Sequence, residues 1–217
     1  MTARVRHVLP RIVVTAPGPA TVRAVVLLLP GGKARSQGRF RANQLTNLRM
    51  IPFGRVVRDR VRGLPVAVWR LHYRVRGWNE PTLDPVLDAR WAVGEIRRRH
   101  PGAHIYLVGH SMGGRTALRC AADQAVVGVC ALAPWIEPGE PVEQLAGCTV
   151  VIAHGDRDRT CDPRLSRAYA DAAAGVGADV RFLSMPGDGH GMVVRAGRWN
   201  DVVRRFVASL ADAPSQS

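Results

Sequence analysis

The chain has 217 residues, of which 47% are hydrophobic, and its formal net charge is +14. This length suits one domain with one core, well above the size at which disulfides or metal ions must supply stability. No apolar run approaches the roughly 18 residues that a membrane-spanning helix needs. Pro10 and Arg11 interrupt the N-terminal residues before a signal-peptide core could form. We therefore predict one cytoplasmic domain over 1–217, with a frayed tail at about 213–217.

Arginine supplies most of the basic charge, and Lys33 is the only lysine. The arginines are spread along the chain, which argues against a specific nucleic-acid partner or an anionic membrane, since either favours a dense stripe or tail. The four cysteines lack the paired spacing of a zinc site or a redox dithiol, which predicts reduced thiols. We expect no metal ion and no cofactor.

Short aliphatic runs alternate with longer segments of helical period, a pattern typical of an α/β fold with a mostly parallel sheet covered by helices on both faces. The predicted strands are 11–15, 24–29, 66–73, 104–108, 126–132, 149–154 and 180–185. The predicted helices are 42–62, 83–99, 112–123, 163–174 and 198–211. In the second helix, the spacing predicts a buried stripe of Leu83, Val86, Leu87, Trp91 and Ile96.

A serine stands between small residues where the strand at 104–108 meets the following helix. The run from Gly109 to Gly114 reads Gly-His-Ser-Met-Gly-Gly, which fits the Gly-x-Ser-x-Gly pattern of a nucleophile elbow. The glycines permit the close approach of backbone segments at such a turn. A serine hydroxyl is a weak nucleophile, so it needs a neighbouring base and hydrogen-bond donors for the developing oxyanion. The pattern predicts Ser111 as a catalytic nucleophile.

The predicted base is His190, which lies in a glycine-rich loop directly after the last predicted strand. A catalytic histidine needs a carboxylate that fixes its tautomer. Asp156 and Asp158 both follow the strand at 149–154, and we favour Asp158 because it lies further from the strand end. Asp156 is then expected to stabilise the loop.

Two backbone N–H groups are candidates for the oxyanion hole. One belongs to Met112, at the start of the helix after the nucleophile. The other is expected from the loop after the strand at 24–29, where two glycines allow the backbone to approach a substrate. We favour Gly32 as this donor, with Lys33 as the competing residue. The alternative is a glycine turn that only serves to leave the strand.

The order Ser111, Asp158, His190, with each residue after a strand, resembles the α/β-hydrolase superfamily over roughly residues 20–211. Within it, the chain is most similar to small serine esterases and to the hydrolases grouped with serine aminopeptidases and lysophospholipases. The oxyanion loop departs from their common His-Gly, since Pro30 and Gly31 stand there. The resemblance implies a doubly covered sheet, and the short linker at 134–147 implies no separate cap domain.

An open site without a cap needs walls from loops at the same edge of the sheet. Trp135 and Trp78 are candidate substrate-binding residues, although either could equally be a core aromatic that covers the sheet. Met192 is a weaker candidate, because methionine more often fills a core.

These features together predict a serine hydrolase that cleaves a carboxylic ester or thioester of a small-molecule acyl substrate through an acyl-enzyme. A peptidase, amidase or acyltransferase would use the same residues. A noncatalytic binding protein on the hydrolase scaffold and a nucleic-acid-associated protein are the alternatives outside catalysis. The sequence leaves open whether the protein is a monomer or a homodimer.

Overall fold

Seven strands form one sheet in the computed structural model, which describes residues 9–208. The strands are β1 (Arg11–Ala16), β2 (Ala24–Leu29), β3 (Val66–His72), β4 (His104–His110), β5 (Val126–Leu132), β6 (Thr149–Gly155) and β7 (Asp179–Met185). Their order in the sheet is β1-β3-β2-β4-β5-β6-β7. Strand β1 pairs with β3 in the antiparallel direction, and the other neighbours are parallel. The mostly parallel sheet predicted from the sequence is confirmed.

Helices cover both faces of the sheet. They are α1 (Leu45–Leu48), α2 (Met50–Arg60), α3 (Asp84–Arg99), α4 (Met112–Arg119), α5 (Pro163–Gly175) and α6 (Ala196–Ala208). Buried side chains of α3, α4 and α5 form the core on one face, and those of α2 and α6 form the core on the other. Strand β2 is buried throughout, and its successive side chains alternate between these two cores, as the period of a strand requires.

The parallel register brings several loops to the carboxyl edge of the sheet. Leu29 at the end of β2 is level with Gly109 of β4, and Gly155 at the end of β6 is level with Met185 of β7. The loops that follow these four strands therefore leave the sheet side by side. In an open α/β sheet this edge is where ligands bind.

Two predicted details were wrong. The single helix expected at 42–62 is divided at Arg49 into α1 and α2. Pro52 explains the break, since proline has no N–H and its ring excludes the carbonyl four residues earlier, so it fits only in the first turn of a new helix. Leu87 is 45% exposed instead of buried. The buried face of α3 includes Val86, and Leu87 lies about 100° further around that helix.

The four cysteines are free and buried, as the spacing predicted. Between residues 9 and 208, no helix combines the length and apolar character needed to cross a bilayer. The tail predicted at 213–217 and the last residues predicted for the C-terminal helix lie outside the described residues.

Candidate active site

Ser111 lies at a strained turn between β4 and α4. Its backbone has φ +56 and ψ −121, a conformation that L-residues rarely adopt. A Cβ at position 113 would overlap the carbonyl oxygen of Leu29, and a Cβ at position 109 would overlap that of Gly113. Only glycine fits at both positions, so the sequence pattern is explained by backbone packing. The turn presents the serine hydroxyl at the carboxyl edge of the sheet.

The structure brings Ser111, His190 and Asp158 into one chain of hydrogen bonds. The Oγ of Ser111 is 2.9 Å from Nε2 of His190, and Nδ1 of His190 is 2.8 Å from Oδ2 of Asp158. Because a carboxylate only accepts, Nδ1 carries the proton in this arrangement and Nε2 is left to accept from the serine hydroxyl. The imidazole is therefore oriented to take a proton from Ser111.

The Asp158 carboxylate is fully buried and saturated with donors. Its Oδ1 accepts from the N–H groups of Thr160 at 2.8 Å and Cys161 at 3.0 Å, and its Oδ2 accepts from His154 as well as His190. Burial alone raises the pKa of Asp158, but the hydrogen bonds from the two histidines and the two N–H groups outweigh it and hold the pKa well below its ordinary value. The carboxylate stays ionised beside the imidazole.

Asp156 has a different role in the loop after β6. Its exposed side chain accepts from the N–H of Gly187 at 2.7 Å and so ties this loop to the one after β7. Of the two aspartates that the sequence offered, Asp158 is the one that faces the imidazole.

His154 is a further partner of Asp158 that the sequence analysis did not identify. Its Nε2 lies 3.1 Å from Oδ2 of Asp158 and 3.2 Å from the carbonyl oxygen of Cys161. Both are acceptors, so Nε2 carries the proton, while Nδ1 is 2.8 Å from the Ser166 hydroxyl. The available signal was a histidine at a strand end, four residues before the carboxylate.

Asp188 anchors the loop that carries His190. Its buried carboxylate accepts from the N–H groups of Gly189 and Arg195 and, at 2.7 Å, from Nε1 of Trp199 on α6. Its carbonyl oxygen accepts from the N–H of Arg157 at 3.0 Å. The loops after β6 and β7 are thereby joined to each other and to α6, which limits the movement of the base.

His110, directly before the nucleophile, is fully buried under the same loop. Its Nε2 donates to the carbonyl oxygen of His190 at 3.0 Å, and the two rings lie 4.9 Å apart. Burial and, to a smaller extent, the neighbouring His190 lower the pKa of His110 to about 3. Within residues 9–208, Nδ1 of His110 has no hydrogen-bond partner. A neutral imidazole therefore supports the backbone of the base.

We expect acid to destabilise the protein partly through His110. The pKa of this group falls from 6.5 in the unfolded chain to about 3 in the fold. Its contribution to stability is therefore complete above about pH 6.5 and is lost as the pH falls towards 3, by about 1.4 kcal/mol per pH unit. In His110→Gln, whose amide can still donate to the His190 carbonyl, the unfolding free energy should depend less steeply on pH between 6 and 4.5. Urea unfolding at several pH values measures this, and identical slopes in both proteins would contradict it.

The two proposed oxyanion donors lie on either side of the nucleophile. Met112 is the first residue of α4, where a helix leaves its N–H without an intrahelical acceptor. The N–H of Lys33 donates to the carbonyl oxygen of Arg76 at 2.9 Å, so it is already engaged. This favours Gly32 over Lys33. A Cβ at Gly32 would overlap the Sδ and Cε atoms of Met112, so the backbone at Gly32 lies against the Met112 side chain.

Trp78 and Trp135 lie together beside the elbow. Trp78 is 1% exposed and belongs to the core, whereas Trp135 is half-buried and its backbone N–H donates to the Ser111 carbonyl oxygen at 3.2 Å. The Arg115 guanidinium lies over both indole rings, 4.3 and 4.7 Å from their centroids, and it pairs with the buried Glu140. This cluster of opposite charges and aromatic rings is not evident from the sequence.

Both indoles border a cavity of about 460 Å³. Trp135 is the more exposed of the two, and Trp78 packs beside it in the core. Met192 is 5% exposed and packs in the core with Met50 of α2. The expectation that Met192 lines a pocket was wrong, because its side chain turns under the loop into the sheet.

One family model matches part of the chain. The model described as serine aminopeptidase, S33, matches residues 73–151, which contain Ser111 but neither Asp158 nor His190. A comparison with curated protein sequences gave no match.

Solved structures match nearly the whole chain at low identity. Esterase 2 from Thermogutta terrifontis is 17% identical with a TM-score of 0.70, covering 97% of this chain and 94% of that one. An acetyl ester-xyloside bifunctional hydrolase from Caldicellulosiruptor lactoaceticus is 15% identical with a TM-score of 0.68, covering 94% and 89%. A serine hydrolase without a lid from Xanthomonas campestris is 18% identical with a TM-score of 0.65, covering 95% and 91%. At these identities, the likeness is one of fold.

Proposed function

Since the chain has the fold of the α/β-hydrolase superfamily, we propose that it is a serine hydrolase that cleaves a carboxylic ester or thioester through an acyl-enzyme. A fold alone does not define an activity, so the proposal depends on the site. The observation that carries it is the hydrogen-bond chain from Ser111 through His190 to Asp158, with the serine on a strained turn. Catalysis is proposed to use these side chains without a metal ion or cofactor.

In acylation, the Ser111 oxygen attacks the substrate carbonyl carbon while its proton passes to Nε2 of His190. The carbonyl oxygen becomes an oxyanion, which the N–H groups of Met112 and Gly32 stabilise by hydrogen bonds. When the tetrahedral intermediate collapses, the bond to the alcohol or thiol breaks and the leaving group takes the proton from Nε2. Asp158 holds the imidazole in one tautomer and stabilises the imidazolium between the two transfers.

In deacylation, a water molecule gives a proton to Nε2 of His190 and attacks the acyl carbon. The second intermediate collapses, the acid departs and the proton returns to the Ser111 oxygen. The short segment between β5 and β6 adds a single 3₁₀ turn, Glu143–Leu145, and no cap domain. Water therefore has access to the acyl-enzyme, which supports hydrolysis over transfer to another acceptor.

The proposed substrate is a small acyl ester or thioester. The solved structures similar to this chain include proteins described as esterases, while the matching family model carries the description serine aminopeptidase. An amide is therefore the competing substrate class. Hydrolysis of short esters, long acyl esters, thioesters and aminoacyl amides by the purified protein separates the two classes. Faster turnover of amides than of activated esters would overturn the ester assignment.

Labelling by a fluorophosphonate tests the nucleophile directly. The native protein should form a covalent adduct on Ser111, which mass spectrometry of peptides locates, and Ser111→Ala should remain unlabelled. Hydrolysis of the chromogenic ester panel should fall in Ser111→Ala to the background rate. A native protein that is folded by circular dichroism but stays unlabelled would instead indicate a noncatalytic binding protein on this scaffold.

A further inference from the structure

Exposed aliphatic side chains gather beside the candidate active site. Among residues 9–208, seven large hydrophobic side chains are exposed, and four of them lie next to this site. Leu45 and Leu48 belong to α1 and are 70% and 41% exposed, while Val193 and Val194 follow His190 in its loop and are 73% and 69% exposed. Single exposed aliphatic residues are ordinary, but a cluster of them indicates an interaction surface.

The two segments that carry these side chains are neighbours. Gly191 lies close to both segments, because a Cβ added to it would be 3.7 Å from Nη2 of Arg49 and 3.7 Å from Cγ1 of Val193. Arg49 directly follows α1. Met50, which follows α1, and Met192, which directly precedes Val193, belong to the same core. The two segments therefore approach each other at Arg49 and Gly191, and we call their exposed side chains the aliphatic rim, defined as Leu45, Leu48, Val193 and Val194.

The segment that precedes and includes α1 is rich in basic residues and contains no acidic residue. The first acidic residue of the chain is Asp59. The segment after β2, here called the basic loop, carries five cations, which are Lys33, Arg35, Arg39, Arg41 and Arg49. Within the described residues, none of the five forms an ion pair with a carboxylate. The turn at Arg41 is hydrogen-bonded to Gln44, which immediately precedes α1.

Several arginines elsewhere in the fold have a carboxylate partner. Arg97 pairs with Asp123, and Arg98 and Arg99 pair with Glu95, at the opposite edge of the sheet. Two acids of the loops after β6 and β7 are already engaged, because Asp188 is buried against α6 and Asp156 binds the backbone of the neighbouring loop. Unmatched positive charge is thus left beside the rim.

We propose that the aliphatic rim and the basic loop together bind the protein to an anionic lipid surface. The leucines and valines would enter the interface between headgroups, while the cations would lie among the lipid phosphates. The spread of arginines along the chain argued against such a partner, but the fold places an acid-free group of them next to exposed aliphatic residues. Delivery of acyl esters from that surface to Ser111 rests on the proposed function, whereas binding to the surface does not.

The combination of side chains distinguishes a lipid surface from other anions. A nucleic acid or a small anionic ester would be attracted by the cations alone, since phosphate groups offer nothing to exposed leucine and valine side chains. An interfacial segment needs both an apolar contribution and a basic one to bind anionic lipids stably. The aliphatic rim supplies the apolar contribution, and the basic loop supplies the basic one.

Vesicle sedimentation of the full chain with Ser111→Ala tests binding separately from catalysis. We expect at least tenfold stronger partitioning onto vesicles of equal phosphatidylglycerol and phosphatidylcholine than onto pure phosphatidylcholine. The change L45S/V193S/V194S should weaken binding to the anionic vesicles at least tenfold. The change R39Q/R41Q should weaken it about 25-fold, at about fivefold per cation near a charged bilayer.

A matched variant on α3 controls for generic surface effects. L87S/R90Q removes an exposed leucine and an exposed arginine away from the rim, and it should bind as the parent does. Circular dichroism and thermal unfolding establish that each variant is folded. Equal binding to both vesicle types, or equal loss in the rim and α3 variants, would overturn the proposal. Loss in R39Q/R41Q with unchanged binding in L45S/V193S/V194S would also overturn it, since it would indicate a purely ionic partner.

Discussion

Replacing Asp158 by Asn is expected to lower kcat for ester hydrolysis about 10⁴-fold. The carboxylate accepts from His190 and His154 at one oxygen and from two backbone N–H groups at the other. An amide has one oxygen and one NH₂ group, so in either orientation NH₂ faces two donors. His190 must then turn or change tautomer, and its Nε2 no longer accepts the proton of Ser111. The unmatched donors should also cost about 1–3 kcal/mol of stability.

Asp156→Asn is the matched control for this prediction. It makes the same chemical change two residues away, at an exposed aspartate that accepts from a backbone N–H. An amide oxygen can accept that hydrogen bond, so kcat should stay within about threefold of the native value. Steady-state kinetics with a chromogenic ester, together with thermal unfolding of both variants, measures the difference. Retention of more than a tenth of the native kcat in Asp158→Asn would contradict the assigned role.

Gly113→Ala is expected to destabilise the fold by about 3 kcal/mol or more and to remove most of the activity. The added methyl group would overlap the carbonyl oxygens of Leu29 and Pro30, which belong to the backbone and cannot rotate away. Either α4 or the end of β2 has to shift. Both movements separate the serine from its partners, and a displacement of about 1 Å can cost about 10²-fold in rate.

Gly94→Ala is the same substitution at another position, and there it is expected to stabilise the fold. Gly94 is an exposed residue within α3, and nothing lies within 4 Å of an added Cβ. Because alanine favours the helix over glycine, this change should raise the free energy of unfolding by about 0.5–1 kcal/mol and leave activity unchanged. Denaturant unfolding compares the two variants. Similar effects of both substitutions would show that packing at the elbow is not the cause.

The sequence predicted the elements that depend on local pattern. The buried strands have the continuous apolar composition of a parallel sheet, and the elbow glycines mark positions where backbone segments touch. The side chains of Ser111, His190 and Asp158 could be named because each follows a strand, and strands of a parallel sheet end at one edge. The distances between these side chains could not be predicted from the sequence, because the local hydrophobic pattern does not determine the order of the strands in the sheet.

The supporting contacts were missed for a physical reason. Asp188 and His110 act through hydrogen bonds to groups that are distant in sequence or that belong to the backbone. His154 binds a carboxylate four residues away, and its position matters only because the fold brings the distant His190 to the same carboxylate. Nothing in their residue type distinguishes them from ordinary buried or loop residues. The choice between Asp156 and Asp158 had the same difficulty, because two residues of a loop can point in different directions. Only the tertiary contacts separate these alternatives.

The proposed catalytic groups follow strands of the sheet that differ in local stability. Ser111 follows β4, which has a strand on each side, whereas His190 follows β7, a strand at one edge of the sheet with three of its seven residues exposed. The free energy needed to unfold an edge strand locally is lower than that for an interior strand. Mild heating should therefore abolish the proposed activity while the interior strands of the sheet are still folded. Loss of activity would then report local unfolding of the edge strand β7 at temperatures well below the main melting transition.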